Sequence, residues 1–310
     1  MTLAPSKRTR GLSMAEKSTV LGTLPDTGLL LIGMGPGTVA GMTLEALEAA
    51  KEASHRRYEA YTALWPTSEL DALEQRIGSI ERVMRPEVEQ PDELFTLAKT
   101  SLVALLVVGD PLQATTHVDL QLQAEEAGIE CLVFHGVSIT TIVTGAIGLS
   151  NYRFGRQTTL TYPYGGWVAT SPLEVLAANR FRNLHTVALL DLDPTGEGTG
   201  DQRPMMPSDA VESLKLMWPK LQNELVEMPP SDDSPLQALR HTMCQEYVSR
   251  GIDDVAVVLC ADMGTEDQRI VSTTVGKLSS IPGGRLNCLV FPASLSEVEE
   301  KALLRWSNGE

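Results

Sequence analysis

A chain of 310 residues, 43% of them hydrophobic, is long enough to bury two cores, and its 40 acidic against 25 basic side chains give a net charge of −15 at pH 7. That balance argues against nucleic acid as a partner, because neutralising phosphates takes clustered Lys and Arg. No apolar run approaches the roughly 18 residues needed to span a bilayer, and the opening segment lacks the core of a secretory signal, so a cytoplasmic protein without a membrane partner is expected.

Residues 1–27 carry Lys7, Arg8 and Arg10 among Ser, Thr, Pro and Gly without an apolar period, and are expected to form a flexible extension. A strand follows over 29–32. A helix over 43–53 has Leu44, Leu47 and Ala50 on one stripe. Strands near 58–63 and 80–84, a helix near 94–98, a strand over 102–108 and a strand over 129–134 complete an N-terminal α/β domain, 28–136. A C-terminal α/β domain, 137–310, is expected to begin with a helix at Ser138. It continues with strands at 158–162 and 187–192, helices at 172–182, 210–218 and 236–247, and strands at 255–260 and 289–291. The Gly-, Asp- and Pro-rich segment 193–207 reads as a surface loop. Two such domains leave a cleft between them, a common place for a small molecule.

The turn Gly33-Met34-Gly35-Pro36-Gly37 follows the first strand as a dinucleotide fingerprint would. However, Pro36 has no donor, Val39 stands where the third glycine belongs, and no Gly-Lys-Ser/Thr follows. The glycines instead allow another molecule to approach the backbone. The four cysteines, Cys131, Cys244, Cys260 and Cys288, lack the close spacing of a zinc site or redox dithiol and read as buried thiols, so no metal is expected.

The most informative stretch is Val107-Val108-Gly109-Asp110-Pro111-Leu112-Gln113-Ala114-Thr115-Thr116-His117. The run Leu102 to Val108 is apolar on both faces, as a parallel strand covered by helices must be. Asp110 therefore sits at the carboxyl end of a central strand, where open α/β sheets bind ligands. Gly109 permits a bend or close approach, Pro111 stops strand pairing, and Thr115 and Thr116 can start the helix running to about Ala127.

Gly109-Asp110-Pro111-Leu112 followed by Ala114-Thr115-Thr116-His117 resembles the signature of the diphthine synthases, methyltransferases of the tetrapyrrole-methylase superfamily. The likeness runs from about Leu29 to Val298. It includes Leu31 to Gly35, Glu59-Ala60-Tyr61-Thr62, Arg85 to Glu89, Tyr152-Arg153-Phe154-Gly155, Leu184-His185-Thr186 with Leu189-Leu190-Asp191, and Gly264 through Asp267 to Ile270. The resemblance implies a two-domain tetrapyrrole-methylase-like α/β fold with the ligand site in the interdomain cleft. It implies S-adenosylmethionine as methyl donor, elongation factor 2 bearing an aminocarboxypropyl-histidine as protein substrate, and a homodimer. Donor contacts would fall on Pro36, Asp110, Gln113, Ser138, Ile139, Leu190, Met263 and Asn287, mostly through backbone and packing. Asp110 is the exception, a carboxylate able to accept from the donor's ribose or ammonium.

Transfer from a sulfonium needs chiefly that nucleophile, methyl carbon and sulfur be held in line, which agrees with the lack of a Ser-His-Asp or Cys-His pattern. His117, His135 and His185 lie in matched motifs, yet a lone histidine beside a strand is usually a hydrogen-bonded structural residue, so no general base is named. Tyr162, Trp167 and the Tyr-Pro-Tyr-Gly-Gly segment suit either the substrate pocket or loop packing. The chain departs from the family pattern at Asn287 and Ser296, where histidines are usual, and is one residue longer before Gly264. Two other readings stay open on these departures: a non-catalytic module binding S-adenosylmethionine or the elongation factor, and a methyltransferase for a tetrapyrrole or another small molecule.

Overall fold

The computed structural model describes residues 22, 24–199, 202–229 and 234–307, so most of the extension expected over 1–27, with Lys7, Arg8 and Arg10, lies outside the described residues. In the first half, β1 (Gly28–Gly33), α1 (Leu44–Glu52), β2 (His55–Glu59), α2 (Thr67–Ile77), β3 (Glu81–Val83), α3 (Arg85–Glu89), α4 (Asp92–Ala98), β4 (Leu102–Val107), α5 (His117–Glu126) and β5 (Cys131–Phe134) follow one another. The strands form a parallel sheet in the order β3-β2-β4-β1-β5. Every residue of β1 and β4 is buried, as a sheet sandwiched between helices requires. One face packs Leu30, Ile32, Ala104 and Leu106 against Ala46, Ala49 and Ala50 of α1 and Leu73 of α2. The other packs Leu29, Leu31, Val103 and Leu105 against Leu94 and Ala98 of α4 and Leu120 and Ala124 of α5.

The second half contains α6 (Ile139–Ala146), β6 (Thr158–Leu160), α7 (Ser171–Phe181), β7 (Thr186–Leu190), α8 (Pro207–Glu227), α9 (Pro235–Val248), β8 (Ala256–Ala261), β9 (Arg269–Thr274), α10 (Val275–Leu278), β10 (Asn287–Phe291) and α11 (Glu297–Leu304). Its sheet, ordered β6-β7-β10-β8-β9, is parallel only between β6 and β7 and antiparallel elsewhere. Helices α7, α8 and α9 cover one face through Leu173, Leu214, Leu221 and Tyr247. Val143 and Ile147, from α6 and its end, and Leu303 of α11 pack on the other.

Sequence and structure differ most at β2, which ends at Glu59 where a strand had been expected near 58–63. The Glu59 carboxylate accepts from Thr62 N (3.1 Å) and Thr62 Oγ1 (2.6 Å), closing a turn in place of further strand. The helix expected over 210–218 extends to Pro207–Glu227 despite Pro219, because Met217, Trp218, Leu221 and Leu225 stay on its buried face. No helix among the described residues is long and apolar enough to cross a membrane.

Candidate functional site

Three loops at the carboxyl ends of β1, β4 and β5 meet backbone to backbone. Gly35 and Gly109 exchange hydrogen bonds of 3.0 and 2.8 Å. A Cβ on Gly33 would fall 2.3 Å from Gly136 N, and one on Gly136 would fall 2.2 Å from Gly109 O, so only glycine lets the three strands close up here. The Asp110 carboxylate completes the junction, accepting from Leu112 N (2.9 Å), His135 Nδ1 (2.8 Å) and Gly136 N (3.2 Å). Ser138 then caps α6, accepting from Thr140 N at 3.3 Å, which brings Ser138 and Ile139 up beside Gly109.

Facing this junction are the ends of strands from the second sheet, and a cavity lies between. From the first half its wall takes Pro36, Thr62, Ala63, Val108, Gly109, Gln113, Ala114 and Thr115, and α6 adds Ser138, Ile139 and Thr140. The second sheet supplies Leu189, Leu190, Leu192, Cys260, Asp262, Met263, Arg285, Leu286, Asn287 and Cys288.

Of the eight residues singled out in the sequence, Pro36, Gln113, Ser138, Ile139, Leu190, Met263 and Asn287 line this cavity, gathered from six strand ends. Asp110 is buried beside the wall, and its three hydrogen bonds run to the chain itself. Its visible task is to hold the loop that carries Gln113. Asp110→Ala strands the Leu112 and Gly136 amides, each costing about 1–3 kcal/mol if left unpaired. Calorimetry should therefore record a lower melting temperature as well as weaker ligand binding. An unchanged melting temperature would deny the carboxylate this role.

The histidines of the matched motifs are structural. Buried His117 places Nδ1 2.9 Å from Pro111 O, and its Nε2 lies 3.7 Å from Glu59 Oε2. Burial pushes the Glu59 carboxyl up, so this acid resists ionisation behind the wall. His185 accepts from Ala293 N through Nδ1 (2.9 Å), which leaves Nε2–H to donate to Glu299 Oε1 (3.1 Å). His135 is exposed and turns Nδ1 to Asp110. Tyr162 is buried, with its hydroxyl on Arg203 O and Asp209, and Trp167 is exposed beneath the Lys220 ammonium; neither lines the cavity.

The cavity wall offers little for covalent catalysis. The Cys260 thiol is held well above its usual range, first by its hydrogen bond with Cys288 and then by burial, and so stays an un-ionised packing group. Chemically the wall suits a ligand held mainly by apolar contact and a few polar side chains. Sequence reasoning missed Thr62, Asp262 and Arg285. Thr62 lies inside a matched motif, but nothing local distinguishes Asp262 or Arg285.

The sequence pattern of the tetrapyrrole (corrin/porphyrin) methylases matches residues 28–279. The chain is 31% identical over 279 residues to a diphthine synthase of Methanospirillum hungatei JF-1, spanning 89% of this chain and 96% of that relative. It is 36% identical over 282 residues to one of Methanocorpusculum labreanum, spanning 90% and 98%. Among solved structures, a diphthine synthase superposes with a TM-score of 0.71 at 28% identity, covering 91% of this chain and 96% of the other. A conserved hypothetical protein from Aeropyrum pernix K1 gives 0.72 at 29% identity, covering 92% and 91%.

Proposed function

The chain belongs to the diphthine synthases of the tetrapyrrole (corrin/porphyrin) methylase family, and from that premise we propose that it uses S-adenosylmethionine to methylate the amine of the aminocarboxypropyl-histidine of elongation factor 2 in diphthamide biosynthesis. The observation that carries this reading is the convergence of seven of the eight residues implied to contact the donor on one cavity between the two sheets.

The residues present fit such a donor. Apart from Asp262 and Arg285 the wall is uncharged, with aliphatic side chains from both halves. S-adenosylmethionine, when bound, supplies a methyl group on a sulfonium, which an amine takes by direct displacement while the carbon–sulfur electron pair stays on sulfur. Pro36, Gln113, Ser138, Ile139, Leu190, Met263 and Asn287 would hold it, and Asp110 would set the loop from which Gln113 reaches in. Only the neutral amine has the lone pair that attacks.

The same reading takes 28–136 and 137–310 as two domains, each with its own sheet, meeting at the cavity. It places the enzyme in the cytoplasm with its protein substrate, as a homodimer, the commonest soluble assembly.

The departures from the family pattern do not favour a non-catalytic module, because both side chains hold local structure. Asn287 accepts from Gly284 N (2.7 Å) and donates to Met205 O (3.2 Å), fixing the turn before β10. Ser296 caps α11, accepting from Glu299 N (3.4 Å) while Glu299 reaches back to Ser296 N (2.9 Å).

The deciding experiment offers the enzyme elongation factor 2 with and without the aminocarboxypropyl group, followed by mass spectrometry of the histidine. Methyl mass should appear in steps, only on the primed factor, ending at the trimethylated amine; an added methyl ester is the alternative endpoint. A factor with the target histidine replaced is the control. Methylation of that control, or none on the primed factor while donor binds, would reject the substrate.

A further inference from the structure

The cavity wall holds two charged side chains, Asp262 and Arg285, and they are neighbours, with Arg285 Nη2 3.9 Å from Asp262 Oδ1. Their positions are fixed by the backbone. Asp262 follows β8 in the left-handed region at φ +47°, a conformation that Asp and Asn tolerate better than most residues. Its Oδ2 accepts from Arg285 N (3.0 Å) and its Oδ1 from Leu286 N (3.1 Å). Each carboxylate oxygen keeps a further lone pair.

Arg285 reaches across the cleft, where Nη1 donates to Leu64 O in the first half. A guanidinium has five N–H donors in a rigid fork, and at 3.9 Å the contact with Asp262 balances charge without engaging one of them as a hydrogen bond. Beside the apolar remainder of the wall stand an acceptor with unfilled lone pairs and a cation with unfilled donors, side by side. The small molecule complementary to such a pair is a zwitterion, with its carboxylate on the guanidinium and its ammonium or amine on the carboxylate.

We propose that Arg285 and Asp262 form a subsite for an α-amino-carboxylate, in which Arg285 grips the carboxylate and Asp262 faces the amine. The inference rests on the methyltransferase reading above, under which two molecules present this end: the donor through its methionyl group and the acceptor through its aminocarboxypropyl group.

The test separates these sources and a third outcome, in which Arg285 is only a tie between the halves. By calorimetry, S-adenosylmethionine and decarboxylated S-adenosylmethionine are titrated into wild type, R285Q, R285K and D262N. If the donor uses the subsite, wild type discriminates between the carboxylated ligand and the decarboxylated one by about tenfold or more, R285Q abolishes the discrimination, and R285K recovers part of it. If the acceptor uses it, the donor ratio is unchanged in R285Q, but KM for primed elongation factor 2 rises by about tenfold or more with kcat little affected.

D262N keeps the backbone conformation and should weaken the same ligand that R285Q weakens. The subsite is overturned if R285Q lowers the melting temperature while changing all ligands in equal proportion, or if it changes neither the donor ratio nor KM. Failure of the wild-type enzyme to methylate the primed factor would reject the substrate reading instead, and the donor titrations would still decide whether the pair binds that molecule's carboxylate.

Discussion

Replacing Gly136 by alanine is expected to open the junction under the cavity and to weaken donor binding by about tenfold or more, the scale of losing one charge-assisted hydrogen bond. The added Cβ would lie 2.2 Å from Gly109 O, 2.8 Å from Gly33 C and 2.9 Å from Gly33 Cα. All three atoms are backbone of neighbouring strand ends, so no side-chain rotation relieves the clash. The loops must part, and the Asp110 bond to Gly136 N, 3.2 Å long, is lost with them. Overpacking of this kind costs about 1–3 kcal/mol. Gly145→Ala is the internal control, because a Cβ there meets nothing within 4 Å and the residue lies in helix α6. That change should be neutral or stabilise by about 0.5–1 kcal/mol. Should Gly136→Ala match it in melting temperature and donor affinity, the glycine junction would not be what shapes the site.

That junction shows which parts of the fold the sequence made legible. Leu29 to Ile32 and Leu102 to Val107 were readable as strands because burial on both faces removes polar residues from the run. β2 was misplaced because it opens with His55-Arg56-Arg57, whose charges are absorbed by long-range partners. Arg56 donates to Ala50 O, Lys51 O and Ala53 O, and Arg57 pairs with Glu81 and Glu93. α2 was missed at a start where Pro66 gives no side-chain cap, and β9 at a Ser272-Thr273-Thr274 end that looks like a turn. Within the site, residues in family motifs were legible and those set by tertiary closure were not. Arg285 gains its place only when β8 and β10 pair and its guanidinium meets Leu64 O, a contact that spans 221 residues.

Glu299→Ala should produce a loss of stability at least as large, and one far from the cavity. The Glu299 side chain is 4% exposed. Oε1 accepts from Ser150 N (3.0 Å) and His185 Nε2 (3.1 Å), while Oε2 accepts from Ser296 N (2.9 Å), Ser296 Oγ (2.9 Å) and Arg153 Nη1. Removing the carboxylate leaves a guanidinium and several donors without their acceptor, which costs about 3–5 kcal/mol at a buried pair and lowers the melting temperature by on the order of 10 °C.

The pH dependence separates this account from simple loss of packing. Burial works to raise the Glu299 carboxyl, but the hydrogen bonds from Ser296, Ser150 and His185 outweigh it and hold it down at about 2, against 4.5 in the unfolded chain. An acid depressed in the fold stabilises above pH 4.5 and loses that contribution as pH falls toward 2. His185 acts in the same direction. Burial first lowers its ring below 6.5, against the pull of Glu299, so the neutral form that accepts from Ala293 N is favoured and its contribution declines as pH falls below 6.5. Wild-type melting temperature should therefore fall in two stages on acidification, beginning near pH 6.5 and again near 4.5. The gap between wild type and Glu299→Ala should narrow between pH 4.5 and 2, because protonation removes from the wild type what the mutation has already removed from the variant. A gap that stays constant across that interval would mean that the carboxylate's charge contributes nothing and that only its volume matters.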